Sequence, residues 1–181
     1  MGYAFNSSTP SLRDAVNRLN RVMFKTQGDV GDIIAGGGSI APNADVEKAV
    51  QWAIAKCRSG DVSYSMSNRH WKEPNAWVYD CSSFVITAFY YAGFDVPATD
   101  TTNMRAGFTS MGWTWIPGRA FTSDMLQRGD ILLNEIYHTE LYIGDGLVAN
   151  CGSTPASIIH NRVTYRYSGA PGWDGVLRYA G

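Results

Sequence analysis

Apolar residues recur at helical spacing in three segments of the first half of the chain. SLRDAVNRLNRVMF (residues 11–24) and DVEKAVQWAIAKC (residues 45–57) each have one apolar side and predict amphipathic helices. A third helix is predicted over residues 81–92, between a good N-cap at Asp80 and a helix-ending glycine at Gly93. Its apolar stripe consists of Phe84, Val85, Ala88, Phe89 and Ala92.

A glycine-rich stretch, GDVGDIIAGGGSIAPNAD, separates the first two predicted helices. Its composition predicts a flexible connection with a boundary near residue 42. We therefore expect a helical amino-terminal extension and linker over residues 1–42 and a compact domain over residues 43–181. The three consecutive glycines do not indicate a nucleotide site, because no lysine followed by serine or threonine completes a phosphate-binding loop.

From residue 130 onward the spacing of the apolar residues changes to that of strands. DILLN, YHTELYIG, GLVANCG, SIIHNRV and GVLRYAG are short segments rich in strand-forming residues and separated by turn residues. The stretch between the third helix and residue 130 is expected to be rich in loops. Helices followed by a run of short strands predict an α+β domain with an antiparallel sheet.

The strand YHTELYIG places a histidine beside other polar residues. Strand alternation puts Glu140 on the same face as His138. If the following GDG turn is a three-residue hairpin loop, Ile143 pairs with Leu147. Asn150 then lies opposite Glu140 and becomes a diagonal neighbour of His138. A two-residue loop would shift the register by one and turn Asn150 to the other face.

Composition and charge fit a globular protein of one domain. The 181 residues are 45% hydrophobic and 13% aromatic, and the net charge of −1 gives no preference for nucleic acid or an anionic membrane. The amino terminus lacks the layout of a signal peptide, and no apolar run reaches the roughly 18 residues that span a bilayer. We therefore expect a protein made in the cytoplasm, with no nucleic-acid partner and no membrane insertion.

The three cysteines, Cys57, Cys81 and Cys151, are too few for a disulfide framework and are expected to be reduced. Cys81 is distinctive because it opens the third predicted helix. At that position the helix dipole and the free N–H groups favour a thiolate and lower a cysteine pKa from its usual value of about 8.5. Cys81 is therefore either a nucleophile or, like most free cysteines, a small buried hydrophobic residue.

A thiol nucleophile needs a base within hydrogen-bond reach, and the base needs a polar group that fixes its tautomer. Cys81, His138 and Asn150 together supply these three roles, although His138 alone would more often be structural. No metal or other cofactor is predicted, because the three histidines form no HExxH arrangement and the cysteines have no zinc-site spacing.

Several motifs together resemble those of the NlpC-type cell-wall peptidases. They are DCSSFV at the head of a helix, RGDILL before the sheet, HTELYIGDG for the base strand, and a polar residue twelve positions after the histidine. The segment VSYSMSNRHWKEPNAWVYDCSS and the ending WDGVLRY resemble versions found in phage and prophage lysins of Gram-positive hosts. The resemblance covers about residues 45–180. It implies a minimal papain-like fold, in which a nucleophile helix packs on a small antiparallel sheet.

The resemblance makes Cys81 the nucleophile, His138 the general base and Asn150 the residue that orients the base. The further candidates for oxyanion or substrate contacts are Tyr64, Asp80, Ser82 and Glu140. Tyr64 is either a hydroxyl donor near the oxyanion or a packed aromatic residue.

Glu140 departs from the wider family, in which many members have a small residue at that position. It would orient His138, bind an amine or amide of the substrate, or be an exposed strand carboxylate. We expect it to line the substrate groove, because it lies about 6.6 Å further along the strand than His138.

The predicted function is hydrolysis of an amide bond in peptidoglycan, first as a stem-peptide endopeptidase and second as an N-acetylmuramoyl-L-alanine amidase. Alternatives from other classes are a catalytically silent wall-binding or virion-structural module and a papain-like acyltransferase or deamidase acting on host proteins. The enzyme would act at the bacterial wall, after release or as part of a virion. A separate wall-binding domain or another phage component is an expected partner. Residues 1–42 fall outside the family pattern and would connect or dock the domain.

Overall fold

The computed structural model describes residues 41, 43–118, 123–160 and 172–181. The predicted helix over residues 11–24 and residues 28–40 of the glycine-rich stretch lie outside the described residues. None of the helices within the described ranges is long and apolar enough to span a lipid bilayer.

Helix α1, Ala44–Ser59, corresponds to the second predicted helix. It begins at Asn43, whose side-chain oxygen accepts hydrogen bonds from two backbone N–H groups of the first turn, and it ends at Gly60, which has a φ of 70°. The helix packs one apolar face into the core. The buried hydrophobic residues of this face are Val46, Ala49, Val50, Trp52, Ala53, Ile54 and Cys57.

Helix α2, Cys81–Tyr91, confirms the helix that was predicted to begin with a thiol. Asp80 is the N-cap, and Ala92 follows the last helical residue. Every residue from Cys81 to Phe89 is buried, so most of this helix lies inside the domain, and only Tyr90 and Tyr91 at its end are exposed. Its mostly apolar composition fits that position.

The segment between α2 and residue 130 is more regular than predicted. It contains helix α3, Thr101–Ser110, and strand β3, Trp113–Pro117. The helix sequence TTNMRAGFTS has only Met104 and Phe108 as large buried hydrophobic residues, which is too sparse for a helical period to be recognised. Packing stabilises it instead, because Phe108 contacts Trp113 edge-on with ring centroids 5.1 Å apart.

Two very short strands lie on either side of the loop that precedes α2. Strands β1, Ser63–Tyr64, and β2, Val78–Tyr79, pair in parallel. A short 3-10 helix, Ser123–Met125, comes before the remaining strands. The β1–β2 pair holds the chain in place directly before the first residue of α2.

The five strands predicted after residue 130 are present. They are β4 (Ile131–Asn134), β5 (His138–Gly144), β6 (Leu147–Asn150), β7 (Ser157–His160) and β8 (Gly175–Tyr179). Together with β3 they form a six-stranded sheet in the order β3-β8-β4-β5-β6-β7, with every neighbouring pair antiparallel. The described domain is therefore α+β, as predicted.

Strand β5 is buried on both faces. Leu141 and Ile143 belong to the main core, which also contains helices α1 and α2. Tyr142 faces a smaller apolar cluster on the other side of the sheet. Since His138 shares the face of Tyr142, the histidine lies in a low-dielectric environment rather than on a solvated sheet surface.

The β5–β6 hairpin corrects the predicted turn. A two-residue turn, Asp145–Gly146, replaces the expected three-residue loop, and Gly144 rather than Ile143 pairs with Leu147. Both turn residues have positive φ, 52° and 72°, which suits the tight hairpin turn that follows the natural twist of two strands.

A β-bulge restores the register that the shorter turn would have shifted. The pairing changes between Tyr142 and Gly144, so Ile143 is one extra residue on β5. Beyond this bulge Leu141 pairs with Ala149. The predicted position of Asn150, opposite Glu140, is therefore reached by a different route.

Candidate active site

The candidate nucleophile lies in a helix turn that is fixed by side-chain hydrogen bonds. Asp80 Oδ1 accepts from the Ser83 backbone N–H at 2.7 Å and from Ser82 Oγ at 3.0 Å. The Asp80 backbone N–H in turn donates to Ser83 Oγ at 2.9 Å, which completes a capping box. Cys81 follows directly and has a relative exposure of 9%. The backbone of Cys81 is therefore fixed by the capping box, and its thiol lies at the positive end of the helix dipole.

The His138 side chain connects the thiol to two polar residues of the sheet. It hydrogen-bonds Cys81, and its Nε2 lies 3.0 Å from Asn150 Oδ1 and 3.3 Å from Glu140 Oε1. Since Nε2 faces these two acceptors, Nδ1 is the ring nitrogen left to interact with the thiol. The structure therefore brings Cys81, His138 and Asn150 together in the predicted order.

The environment of His138 favours the imidazolium form. Burial alone would lower the pKa of His138, but its hydrogen bonds to Cys81 and Glu140, together with the charges on those two groups, raise that pKa to about 9. The surroundings of the ring therefore favour the form with a proton on each nitrogen. A protonated ring beside a thiol stabilises the thiolate, which is the nucleophilic form of cysteine.

The expected position of Glu140 is wrong. Its carboxylate does not lie away from the imidazole along an open groove but contacts His138 Nε2, and the residue has a relative exposure of only 6%. The rise along the strand separates the backbone atoms of His138 and Glu140, but a glutamate side chain is long enough to span that distance. The reading of Glu140 as an exposed strand carboxylate is also excluded by its burial.

The turn that precedes His138 is held by Asn134, which sequence reasoning missed. Asn134 Oδ1 accepts from the backbone N–H groups of Ile136, at 3.1 Å, and Tyr137, at 2.9 Å. Its Nδ2 donates to the Gly172 carbonyl at 2.8 Å. Asn134 therefore fixes the entry into strand β5 and ties it to the segment before β8.

Trp173, in that segment, forms a wall of the site. Its indole stacks on the His138 ring with centroids 6.1 Å apart and an interplanar angle of 26°. The next residue, Asp174, donates its backbone N–H to the Leu133 carbonyl at 2.9 Å, which anchors the segment to β4. In the sequence, only the family resemblance of the motif WDGVLRY pointed to this segment. No local pattern indicates that Trp173, 35 positions after His138, lies against the histidine ring.

Gly152 lies against the side chains of His138 and Asn150. A Cβ atom at this position would lie 3.0 Å from Asn150 Oδ1 and 3.1 Å from His138 Cε1. Both distances are shorter than ordinary carbon contacts of about 3.5 Å. The absence of a side chain at Gly152 therefore lets the imidazole and the amide approach each other.

The substitution Gly152→Ala should lower the turnover number about tenfold or more, because a shift of 1 Å in catalytic groups costs on the order of 10²-fold in rate. Thermal unfolding should change little, since the backbone conformation of Gly152 is open to alanine. Hydrolysis of purified sacculi and a thermal melt measure the two effects. Ser153→Ala, at the exposed neighbouring position, is the matched control and should retain native activity. A Gly152→Ala variant with native turnover would contradict this role.

The remaining sequence candidates are Tyr64, Asp80 and Ser82. Tyr64 belongs to strand β1 and pairs with Tyr79, two residues before the thiol, and its ring packs against the main core. Ser82 is buried and donates to the capping carboxylate of Asp80. A role for Tyr64, Ser82 or Asp80 in contacting the oxyanion or substrate stays a prediction.

Comparison with known proteins places the chain in a family. A family model described as bacteriophage peptidoglycan hydrolase matches residues 45–171. The chain belongs to this family. No curated protein sequence matches it. The bacteriophage peptidoglycan hydrolase model includes the site residues from Tyr64 to Gly152 and ends just before Trp173.

Solved structures with a similar fold include NlpC/p60 domain proteins of mycobacteria. RipD of Mycobacterium tuberculosis, described as non-catalytic and adapted to peptidoglycan binding, is 14% identical with a TM-score of 0.52, over 77% of this chain and 99% of RipD. The peptidoglycan hydrolase RipB of the same organism is 20% identical with a TM-score of 0.51, over 98% of this chain and 94% of RipB. A P60 domain of a Mycobacterium avium subspecies paratuberculosis antigen is 18% identical with a TM-score of 0.50, over 74% of this chain and 96% of that domain.

These similarities confirm the predicted papain-like α+β fold of the NlpC type. The family match makes the protein a peptidoglycan hydrolase that acts on the bacterial cell wall. Because RipD has this fold and is described as non-catalytic, the fold alone does not establish catalysis. Catalysis depends on the side chains that the fold carries at the site. Within the described residues, no group of three or more His, Cys, Asp or Glu side chains is arranged to hold a metal ion.

Proposed function

We propose that the protein is a cysteine peptidase that cleaves an amide bond of the peptidoglycan stem peptide with Cys81, His138 and Asn150. The observation that carries this proposal is the hydrogen-bonded position of His138 between the thiol at a helix amino terminus and the Asn150 amide. A nucleophile, a base and an orienting group in mutual contact are the geometric requirement for thiol catalysis.

In the proposed first step, the Cys81 thiolate attacks the scissile carbonyl carbon and forms a C–S bond. The carbonyl oxygen becomes an oxyanion, which backbone N–H groups at the start of α2 stabilise. The His138 imidazolium then donates its Nδ1 proton to the leaving amine as the C–N bond breaks. The result is an acyl-enzyme and a neutral imidazole.

In the second step, neutral His138 takes a proton from a water molecule, and the hydroxyl attacks the thioester carbonyl. The C–S bond breaks, the carboxylic acid product leaves, and the thiolate–imidazolium pair is restored. Asn150 keeps Nε2 engaged through both steps, so that Nδ1 stays directed at the sulfur and the substrate.

The proposed setting is the cell wall, reached after release from the cell or as part of a virion. A separate wall-binding domain or another phage component would bring the enzyme to its substrate. The supporting observation is the family match, because that family is described as bacteriophage enzymes.

Mass spectrometry of the soluble fragments released from purified sacculi tests the proposed bond. An endopeptidase releases fragments with a new amino terminus within the stem peptide. An amidase instead separates intact stem peptides from the sugar chains, and a silent wall-binding module releases nothing above the level of a Cys81→Ala control. Peptide-free sugar chains as the main product would replace the endopeptidase assignment with the amidase.

A further inference from the structure

Asp80 places a buried negative charge one residue before the candidate nucleophile, at the same helix terminus. The residue has a relative exposure of 3% and is adjacent to Cys81 in the chain. A carboxylate in a low-dielectric environment repels a neighbouring thiolate. The cap that fixes the helix turn would therefore oppose the ionisation of the thiol unless another group offsets its charge.

Arg69 supplies the opposite charge. Its Nη1 lies 2.8 Å from Asp80 Oδ2 and also donates to the Met66 carbonyl at 3.0 Å. The guanidinium lies over the Trp71 ring, 5.0 Å from the ring centroid, and only 24% of the Arg69 side chain is exposed. Arg69 is thus held against the buried carboxylate by three separate contacts.

The two oxygens of the Asp80 carboxylate have different partners. Oδ1 accepts from the Ser83 backbone N–H and from Ser82 Oγ, which are the helix-capping contacts. Oδ2 accepts from Arg69. Loss of the arginine therefore leaves both partners of Oδ1 in place, while it removes the charge opposite Oδ2 together with the contacts to Met66 and Trp71.

We propose that Arg69 is a positioning residue that acts through Asp80: it neutralises the capping carboxylate and so preserves the thiolate of Cys81. The inference rests on the proposed nucleophilic role of Cys81. The other titratable groups near the thiol are His138 from β5, with Glu140 behind it, and Cys151 after β6. Among the described residues, Arg69, in the loop between β1 and β2, is the cation that pairs with Asp80.

A charge cycle between Arg69 and Asp80 tests this proposal with alkylation of Cys81 by iodoacetamide as a function of pH. Peptide mapping identifies the modified residue, and the assay does not depend on any wall substrate. Arg69→Met should slow alkylation at pH 6 about tenfold, which is the fold-change that corresponds to a shift of one unit in the pKa of a reacting thiol. Asp80→Asn should accelerate it, because asparagine still caps the helix while the arginine charge remains.

The double variant, Arg69→Met with Asp80→Asn, should return the alkylation profile close to that of the native protein. A merely structural role for Arg69 predicts instead that the double variant is at least as impaired as Arg69→Met. Arg69→Lys, which keeps the charge, should retain most of the native rate. If Arg69→Met does not fold, Asp80→Asn decides the question alone, since an unchanged or slower alkylation rate in that variant would overturn the proposal.

Lys72→Met is the matched control. Lys72 lies on the same loop, pairs with Asp95 at 3.0 Å, stacks over Tyr90 and has 26% of its side chain exposed. Asp95, however, is 87% exposed, so its charge is already screened by solvent. Lys72→Met should therefore leave the alkylation profile unchanged. If Cys81 of the native protein is alkylated at low pH but the protein releases no wall fragments, the proposed function is refuted. The role of Arg69 is then still decided by the alkylation rates of the variants.

Discussion

Replacing Cys81 with alanine should abolish the release of fragments from purified sacculi, with a loss of about 10⁴-fold or more, as expected when the nucleophile of a catalytic set is removed. The domain should remain folded, because the change deletes one buried sulfur atom and costs about 1 kcal/mol of burial energy. Turbidity of a sacculus suspension and a thermal melt measure the two outcomes.

The other two cysteines provide matched controls. Burial raises the pKa of the Cys57 thiol to about 12, although a backbone hydrogen bond from Asn150 partly opposes the effect. Burial also raises the pKa of Cys151 well above its ordinary value. As expected from strand alternation, Cys151 faces the main core, where its sulfur contacts the Tyr79 carbonyl at 3.6 Å. Cys57→Ala and Cys151→Ala should therefore stay active.

Reagent selectivity should follow the same distinction. Iodoacetamide at mildly acidic pH should modify Cys81 well before the other two thiols, because only a thiolate reacts at an appreciable rate. Full activity of the Cys81→Ala variant, or equal labelling of all three cysteines, would remove the basis for a thiol mechanism.

Sequence periodicity predicted the elements that have strong and uninterrupted patterns. Helix α2 has an apolar stripe between a clear cap and a glycine, and the strands after residue 130 are punctuated by turn residues. Helix α3 escaped prediction because its stability depends on packing against Trp113 rather than on its own pattern. Local sequence describes a segment well only when that segment's own residues determine its conformation.

The candidate site shows the same division. The nucleophile, the base and the orienting amide could be proposed from a helix cap and a strand register. The contact between Arg69 and Asp80 and the stacking of Trp173 on His138 could not, because each joins segments whose approach only the tertiary fold determines. The bulge at Ile143 was equally hidden, since hairpin rules connect loop length with register and do not foresee a compensating residue.

The two acceptors on His138 Nε2 should have different effects on catalysis. Glu140→Gln removes a buried negative charge 3.3 Å from the ring, and this charge is one of the causes of the raised pKa of His138. Asn150→Ala removes a neutral acceptor at 3.0 Å, which fixes the ring orientation without contributing charge. The first change should therefore alter the pH profile and the second the turnover number.

The direction of the pH effect follows from the form of His138 that catalysis needs. The imidazolium is the acid that protonates the leaving amine, so activity is present below the His138 pKa of about 9 and is lost as the pH rises through that value. Glu140→Gln weakens the stabilisation of the imidazolium. The alkaline limit of kcat/KM should then move to lower pH by about one unit, the size expected for loss of one adjacent charge.

Asn150→Ala should keep the alkaline limit near its native position while lowering kcat about 10²-fold, because a misoriented imidazole loses its alignment with the sulfur and the leaving group. Complete pH profiles of both variants on the same wall substrate distinguish the two roles, and Asn150→Asp restores an acceptor with a charge. If Asn150→Ala were nearly silent and Glu140→Gln both shifted the limit and lowered kcat, the carboxylate would be the third member of the catalytic set. The buried contact of Glu140 with Nε2 makes this a direct comparison, since both side chains meet the same nitrogen from adjacent strands of one sheet.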